Sequence, residues 1–272
     1  MTNASAEYVH GYAENELQRL RDQSDTLGDL LHHDTCYPPG SRVLEAGCGV
    51  GAQTINLLKN SPEADITSLD ISLESIQSAR HAVSGGDSAI PFLQANIFDL
   101  PFAPNTFDHI FICFVLEHLP NPEEALQRLK NILKPGGTLT VIEGDHGSCF
   151  FSPDSEQARH VWNCLVDAQA QLGGDSLIGR RLYPLLHHAG FQQIHVTPRF
   201  VYADHSRPQW VEGFTIKTIC TMVEGVHQRA LEMKLTNEKR WDAGMKALRK
   251  TAEAPDGVFN YSFFKGIAMK KV

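Results

Sequence analysis

The chain has 272 residues, 42% of them hydrophobic and 21% charged, enough to bury a substantial core. Its 24 Lys and Arg against 32 Asp and Glu give a net charge of −8, with no basic patch to displace counterions from a phosphate backbone, so nucleic acid is disfavoured as a partner. No apolar run approaches the roughly 18 residues that span a bilayer, residues 1–10 lack the apolar core of a signal peptide, and the chain reads as cytoplasmic with no membrane partner.

Taken in chain order, Glu14 to Leu31 places Leu17, Leu20, Leu27, Leu30 and Leu31 at helical spacing, predicting a helix laid on the domain with Gln23 beside its apolar stripe. After the Pro38-Pro39-Gly40 turn, Arg42, Val43 and Leu44 begin a short strand, and Ala52 to Leu58 continues with helical spacing. Ile66 to Leu69 is a second apolar run, ended by Asp70. Ile110 to Leu116 is almost unbroken in its hydrophobicity, as in a central parallel strand buried on both faces. Pro122 to Leu133 reads as a helix capped by Asn121 with Pro122 in first position. Pro135-Gly136 then suits a tight turn into a fifth strand, Thr138 to Ile142. Phe150 to His188 is mostly helical in character, Gln193 to Val196 reads as a sixth strand and Phe259 to Met269 as a seventh. Between those two strands lie about sixty residues, too many for a structureless loop in a compact domain. Val211, Phe214, Thr218, Met222, Val226, Ala230 and Met233 form a helical stripe there, predicting an inserted cap.

The chemistry concentrates at Val43-Leu44-Glu45-Ala46-Gly47-Cys48-Gly49-Val50-Gly51, where a buried strand turns into a helix. Glycines at 47, 49 and 51 allow a tight turn, bring bare backbone against a ligand and let the helix pack close to the strand. The N–H groups at that helix start favour an anionic group such as a carboxylate or phosphate. Asp70 follows Gly51 by 19 positions, at the tip of the second strand, where a carboxylate accepts hydrogen bonds from ribose hydroxyls. The loop also fits the looser dinucleotide fingerprint, Gly47-x-Gly49-x-x-Ala52, so these residues alone leave a nicotinamide cofactor open.

Glu45-x-Gly47-x-Gly49-x-Gly51 followed by Asp70-Ile71-Ser72 resembles the class I S-adenosylmethionine-dependent methyltransferases. Three later segments are similar to the same family in the same order: Gln94-Ala95-Asn96-Ile97, Phe107-Asp108 through Phe114 with Leu116-Glu117-His118-Leu119, and Lys134-Pro135-Gly136-Gly137. The match runs over about residues 40 to 145. The resemblance implies S-adenosyl-L-methionine as cofactor, held by Glu45, the three glycines, Asp70 with Ile71, Asn96 with Ile97, and Phe114. Asn96 stands where the family usually has Asp for the adenine amino group, and its amide carbonyl still accepts. In that family an N-terminal helix often closes over the cofactor, which makes Tyr12 and Gln23 candidate lid contacts. It also implies the architecture: an α/β, Rossmann-like, doubly wound seven-stranded sheet, mostly parallel with an antiparallel last strand, plus a helical cap. Residues 1–35 form the expected lid. Residues 36–198 with 256–272 form the cofactor domain, with a helical insertion at 148–182, and 199–255 form a cap over the acceptor site.

Transfer of an already activated methyl needs an acceptor atom held in line with water excluded, and a base only where the acceptor must first lose a proton. Asp145 and His146, just past the fifth strand, are the candidate bases; Gly144 and Gly147 beside them also suit a plain turn. Phe150, Phe151, Trp162, Trp210, Phe214 and Met222 are either core or the lining of an apolar acceptor pocket. No Asn-Pro-Pro-aromatic motif of amide or nucleobase methylation occurs, so the expected acceptor is a small molecule. A nicotinamide-dependent oxidoreductase and a non-catalytic binding or interaction subunit are the alternatives. The six cysteines are scattered, which suggests reduced thiols and no metal site, and His32-His33 and His187-His188 read as surface pairs.

Overall fold

The computed structural model describes residues 14–83 and 90–272. Its elements in chain order are α1 (Glu14–His32), β1 (Arg42–Ala46), α2 (Ala52–Asn60), β2 (Asp65–Asp70), α3 (Leu73–Val83), β3 (Phe92–Gln94), β4 (Phe107–Cys113), α4 (Pro122–Ile132), β5 (Leu133–Ser152), α5 (Glu156–Gln171), α6 (Leu182–His188), β6 (Gln192–Asp204), α7 (Pro208–Trp210), α8 (Thr221–Glu224), α9 (His227–Glu232), α10 (Glu238–Glu253) and β7 (Val258–Met269). Leu116–His118 forms a 3₁₀ turn, and Val211–Cys220 is π-helical.

The strands make one sheet in the order β3-β2-β1-β4-β5-β7-β6, with β1 paired in parallel to β2 and β4, β2 to β3 and β4 to β5. Parallel neighbours need a crossover between them, and in an open sheet of this kind ligands gather at the carboxyl ends of the strands. The last strand is antiparallel, as expected: Gly136 N–H donates to Lys270 O at 3.0 Å and Lys270 N–H returns a bond to Gly137 O at 3.0 Å. It does not lie at the sheet's edge, however, but between β5 and β6.

The chain divides into two compact units. The first comprises Gly28–Gly144, Ile178–Arg199 and Phe263–Val272. Its core follows from the apolar runs: Leu44, Ile110, Ile112, Leu139 and Val141 on the strands are fully buried with Leu126 and Leu129 of α4 and Leu182 and Leu186. α4 starts as its sequence dictates, with Pro122 in the first turn after Asn121, although the Asn121 side chain makes no capping bond. The same unit buries a lysine. Lys265 of β7 donates to Asp34 Oδ1 at 2.5 Å and Thr35 Oγ1 at 2.6 Å, and Arg199 of β6 pairs with the other Asp34 oxygen.

The second unit comprises Asp145–Leu177, Phe200–Ser262 and the described part of Met1–Leu27. α5 and α10 pack closely there: a Cβ at Gly244 of α10 would stand 2.2 Å from the Val161 side chain of α5. Glycine at 213 plays the same part against α1, where a Cβ would meet Thr26 Oγ1 at 2.2 Å. In the π-helical segment, Thr218 Oγ1 donates to Gly213 O at 2.8 Å and Thr221 Oγ1 to Ile216 O at 3.4 Å, both five residues back.

Two expectations are corrected. β5 does not end at Ile142 but runs to Ser152, so Gly144 to Gly147 is strand and not turn. Phe150 and Phe151 therefore belong to β5, and the helical stretch starts only at Glu156. The physical reason is cross-strand pairing: Phe151 is buried and stacks on Phe259 of β7 at 5.8 Å, while Phe150, one residue earlier on the opposite face, is exposed. The sixth strand is also longer than Gln193 to Val196, spanning Gln192–Asp204.

Candidate functional site

β1 ends in the glycine loop, and β2 holds that loop in place. Gly47 N–H and Cys48 N–H both donate to Leu69 O, at 2.8 and 2.9 Å, and Gly51 N–H donates to Cys48 O at 2.9 Å. All three glycines adopt positive φ: 85° at Gly47, 51° at Gly49 and 82° at Gly51. Their surroundings differ. A Cβ at Gly47 would lie 2.4 Å from Val115 Cγ2, and one at Gly51 would press on Ala79 of α3 at 3.0 Å. A Cβ at Gly49 would meet nothing within 4 Å. Gly49 thus borders open space with bare backbone, while Gly47 and Gly51 serve close packing.

Asp70 joins the loop to the second strand. Its Oδ2 accepts from Gly49 N–H at 2.8 Å and its Oδ1 from Ser72 N–H at 2.9 Å, and burial raises its carboxyl above the ordinary range. The carboxyl keeps acceptor capacity for an incoming hydroxyl.

Glu45 is almost wholly buried beneath the loop. Its Oε2 accepts from Thr54 Oγ1 at 2.7 Å and Ser68 Oγ at 2.6 Å, whereas Oε1 has no partner. Burial, opposed by those two hydroxyls, pushes the carboxyl up to about 7. A buried acceptor without a donor fits a group that brings one, and a cation beside Glu45 would restore its charge.

The remaining expected cofactor residues of the first unit stand at the same strand ends. Ile71 follows Asp70 and is half exposed. Asn96 Oδ1 accepts from Phe98 N–H at 3.0 Å, a turn that orients the amide, and Ile97 beside it is buried. Phe114 follows β4 in a left-handed conformation, φ 57°, with its ring 5.5 Å from that of Phe263.

Gln23, Asp145 and His146 belong to the second unit, and Tyr12 lies outside the described residues. Gln23 is buried on α1 and accepts from Arg19 at 3.2 Å. Asp145 Oδ1 accepts from Gly147 N–H at 3.0 Å. His146 shares a 2.7 Å hydrogen bond between Nδ1 and the Tyr261 hydroxyl, and its backbone carbonyl accepts from Trp162 Nε1 at 2.9 Å. Its ring lies 5.3 Å from that of Trp162 and 5.7 Å from that of Tyr261, and these two join Phe214 and Phe259 in one aromatic cluster. Among the described residues, no group of three or more His, Cys, Asp and Glu is placed to hold a metal ion, and no helix is long and apolar enough to cross a membrane.

Glu143 was not among the residues singled out from the sequence. It is fully buried at β5, its Oε1 accepts from Val115 N–H at 3.0 Å and Leu116 N–H at 2.7 Å, and its Oε2 has no partner. The signal for it was an acid that directly follows an apolar run, here Leu139 to Ile142, as Asp70 follows Ile66 to Leu69.

The loop's packing sets the cost of adding a methyl group. Gly49→Ala is expected to lose about 1–2 kcal/mol, the cost of left-handed backbone alone, and Gly47→Ala roughly 2–4 kcal/mol because Val115 must also move; urea denaturation of both variants measures the difference. Glu45 provides a second check. Its carboxyl titrates near 7 when folded against 4.5 ordinarily. The folded state therefore binds more protons between those values, and stability falls as pH rises through that window, by ~3 kcal/mol. Denaturation curves from pH 4.5 to 7.5 are expected to show this fall in the native protein and its loss in Glu45→Gln.

The comparisons agree with this geometry. A family model described as a methyltransferase domain matches residues 44–141, the stretch holding β1 through β4 and the start of β5. An uncharacterized methyltransferase of Schizosaccharomyces pombe is 29% identical over 65% of this chain and 67% of its own length. Methyltransferase str3 of Strobilurus tenacellus is 32% identical over 63% of this chain and 61% of its own. This chain thus spans about two thirds or less of the length of these curated relatives. Among solved structures, the phosphoethanolamine N-methyltransferase 2 of Haemonchus contortus, in complex with phosphomonomethylethanolamine and S-adenosylhomocysteine, shares the fold at a TM-score of 0.55. It is 19% identical, and the alignment covers 91% of this chain and 52% of that one. With the glycine loop, the buried acids and the sheet order, residues 44–141 are similar to a methyltransferase domain.

Proposed function

We propose that this protein transfers the methyl group of S-adenosyl-L-methionine to a nucleophilic atom of a small-molecule acceptor. The observation that carries the reading is the pairing of open backbone at Gly49 with the unpartnered, buried Glu45 Oε1. Asp70 is suited to the ribose hydroxyls and Glu45 to the cationic end of the cofactor. Asn96 and Ile97 are suited to the adenine, with Ile71 and Phe114 beside them; Gln23 and Tyr12 are the candidate lid contacts. When bound, the cofactor supplies an electrophilic methyl on a sulfonium, so the chain itself has to bind, orient and keep water away.

The second unit supports a lipophilic or aromatic acceptor, because Trp162, Phe214, Phe259 and Tyr261 give it an aromatic interior and Phe151 and Met222 are buried with them. Phe150 faces solvent and drops out of that set. For an acceptor that must lose a proton, His146 is the candidate base and Asp145 its neighbour. The hydrogen bond between Nδ1 and the Tyr261 hydroxyl holds the ring in place.

Calorimetric titration is expected to give heat with S-adenosylmethionine and its demethylated product and none with NAD, and to give none with Gly49→Ala. Affinity for the cationic cofactor is expected to rise with pH up to about 7, where the Glu45 carboxyl ionises, and to lose that slope in Glu45→Gln. Labelled methyl from the cofactor, offered with a metabolite extract, identifies the acceptor; binding without transfer across broad extracts would favour a non-catalytic module. With a protic acceptor in hand, His146→Ala is expected to lower kcat by about 10²-fold or more while cofactor Kd stays unchanged. An unchanged kcat would remove His146 from the chemistry.

A further inference from the structure

Two acids of the first unit stand on its strands with one carboxyl oxygen buried and unpartnered, Glu45 of β1 and Glu143 of β5. Glu45 lies on β1, two residues before the glycine loop. Glu143 stands outside it, and its bonds point to what it does.

The backbone after β4 turns sharply. Phe114 takes a left-handed conformation that a side chain disfavours, and the 3₁₀ turn Leu116–His118 follows at once. The first N–H groups of such a turn have no partner within it. Here the turn hangs from the middle of β5: Phe114 N–H donates to Ile142 O at 2.9 Å, and Val115 and Leu116 N–H donate to the Glu143 carboxyl. Val115, at the centre of those bonds, carries the methyl group that would stand 2.4 Å from a Cβ on Gly47. A line of contacts therefore runs from Glu143 through Val115 to the first glycine of the loop.

We propose that Glu143 is a positioning residue of the cofactor site: by holding the turn at Phe114–Leu116 it seats Val115 against Gly47 and fixes the glycine loop in the shape that takes the adenosyl cofactor. This rests on reading that loop as the cofactor site. Burial, and after it the neighbouring Glu117 carboxylate, pushes the Glu143 carboxyl well above the ordinary range; the other titratable group facing it is the buried Cys113 thiol. A neutral carboxyl accepts both N–H groups through one oxygen, and a glutamine amide does the same. Leucine fills the space but leaves two buried N–H groups without an acceptor.

The test is calorimetric titration of the full chain with S-adenosylhomocysteine. Glu143→Leu is expected to weaken binding at least tenfold and Glu143→Gln to stay within threefold of the native protein. Val115→Ala, with Glu143 and its bonds intact, is expected to weaken binding three- to tenfold. Native affinity in Glu143→Leu would overturn the proposal, and so would a Glu143→Gln protein that binds as weakly as the leucine variant. If the leucine variant does not fold, Val115→Ala decides: native affinity there overturns the proposal, and weakened affinity supports it. A native protein that binds neither S-adenosylhomocysteine nor S-adenosylmethionine instead defeats the reading of the loop itself, before any variant is compared.

Discussion

The hydrogen bond from Gly49 N–H to Asp70 is the constraint on which the rest of the site depends. It joins the two strand tips that carry the glycine loop and the acid. Together with the two bonds to Leu69 O it determines a backbone that would otherwise have wide freedom. Glycine loses more conformational entropy on ordering than any other residue, so a loop with three positive-φ glycines persists only where such bonds fix it. Once fixed, two of the glycines admit Val115 and α3 from below, and the third leaves a surface of bare backbone.

The buried acids of the first unit explain what kind of ligand that surface suits. Glu45 is bonded to two hydroxyls, Asp70 and Glu143 to backbone N–H groups, and burial raises all three carboxyls. A low-dielectric edge that disfavours its own negative charge gains from a cationic ligand, because the ligand brings the counter-charge. A sulfonium with an ammonium group has that character, and a nicotinamide dinucleotide with its two phosphates does not. The loop motif alone left both open.

The second unit is organised differently. Its interior is aromatic, its helices α5 and α10 are in close contact through Gly244, and a ten-residue π-helical segment is stitched by threonine hydroxyls to carbonyls five residues back. Side-chain bonds of that kind add to the backbone ladder of the segment, and π-helical turns concentrate at functional positions.

The sequence by itself determined the first unit: the order of strands and helices, the position of the glycine loop and the placing of Glu45, Asp70, Asn96 and Phe114 at strand ends. Each of those rests on local information, a run of apolar residues, a capping proline or a glycine that only a special backbone requires. Tertiary structure decided the rest. β5 runs on to Ser152 because Phe151 finds Phe259 more than a hundred residues away, and β7 inserts between β5 and β6 through bonds between Lys270 and Gly136 and Gly137. Glu143 acquires its role only when Val115 and Leu116 are brought to it, and His146 its hydroxyl partner only from Tyr261. Such partners are set by strand pairing across long stretches of chain, which no local pattern of residues encodes.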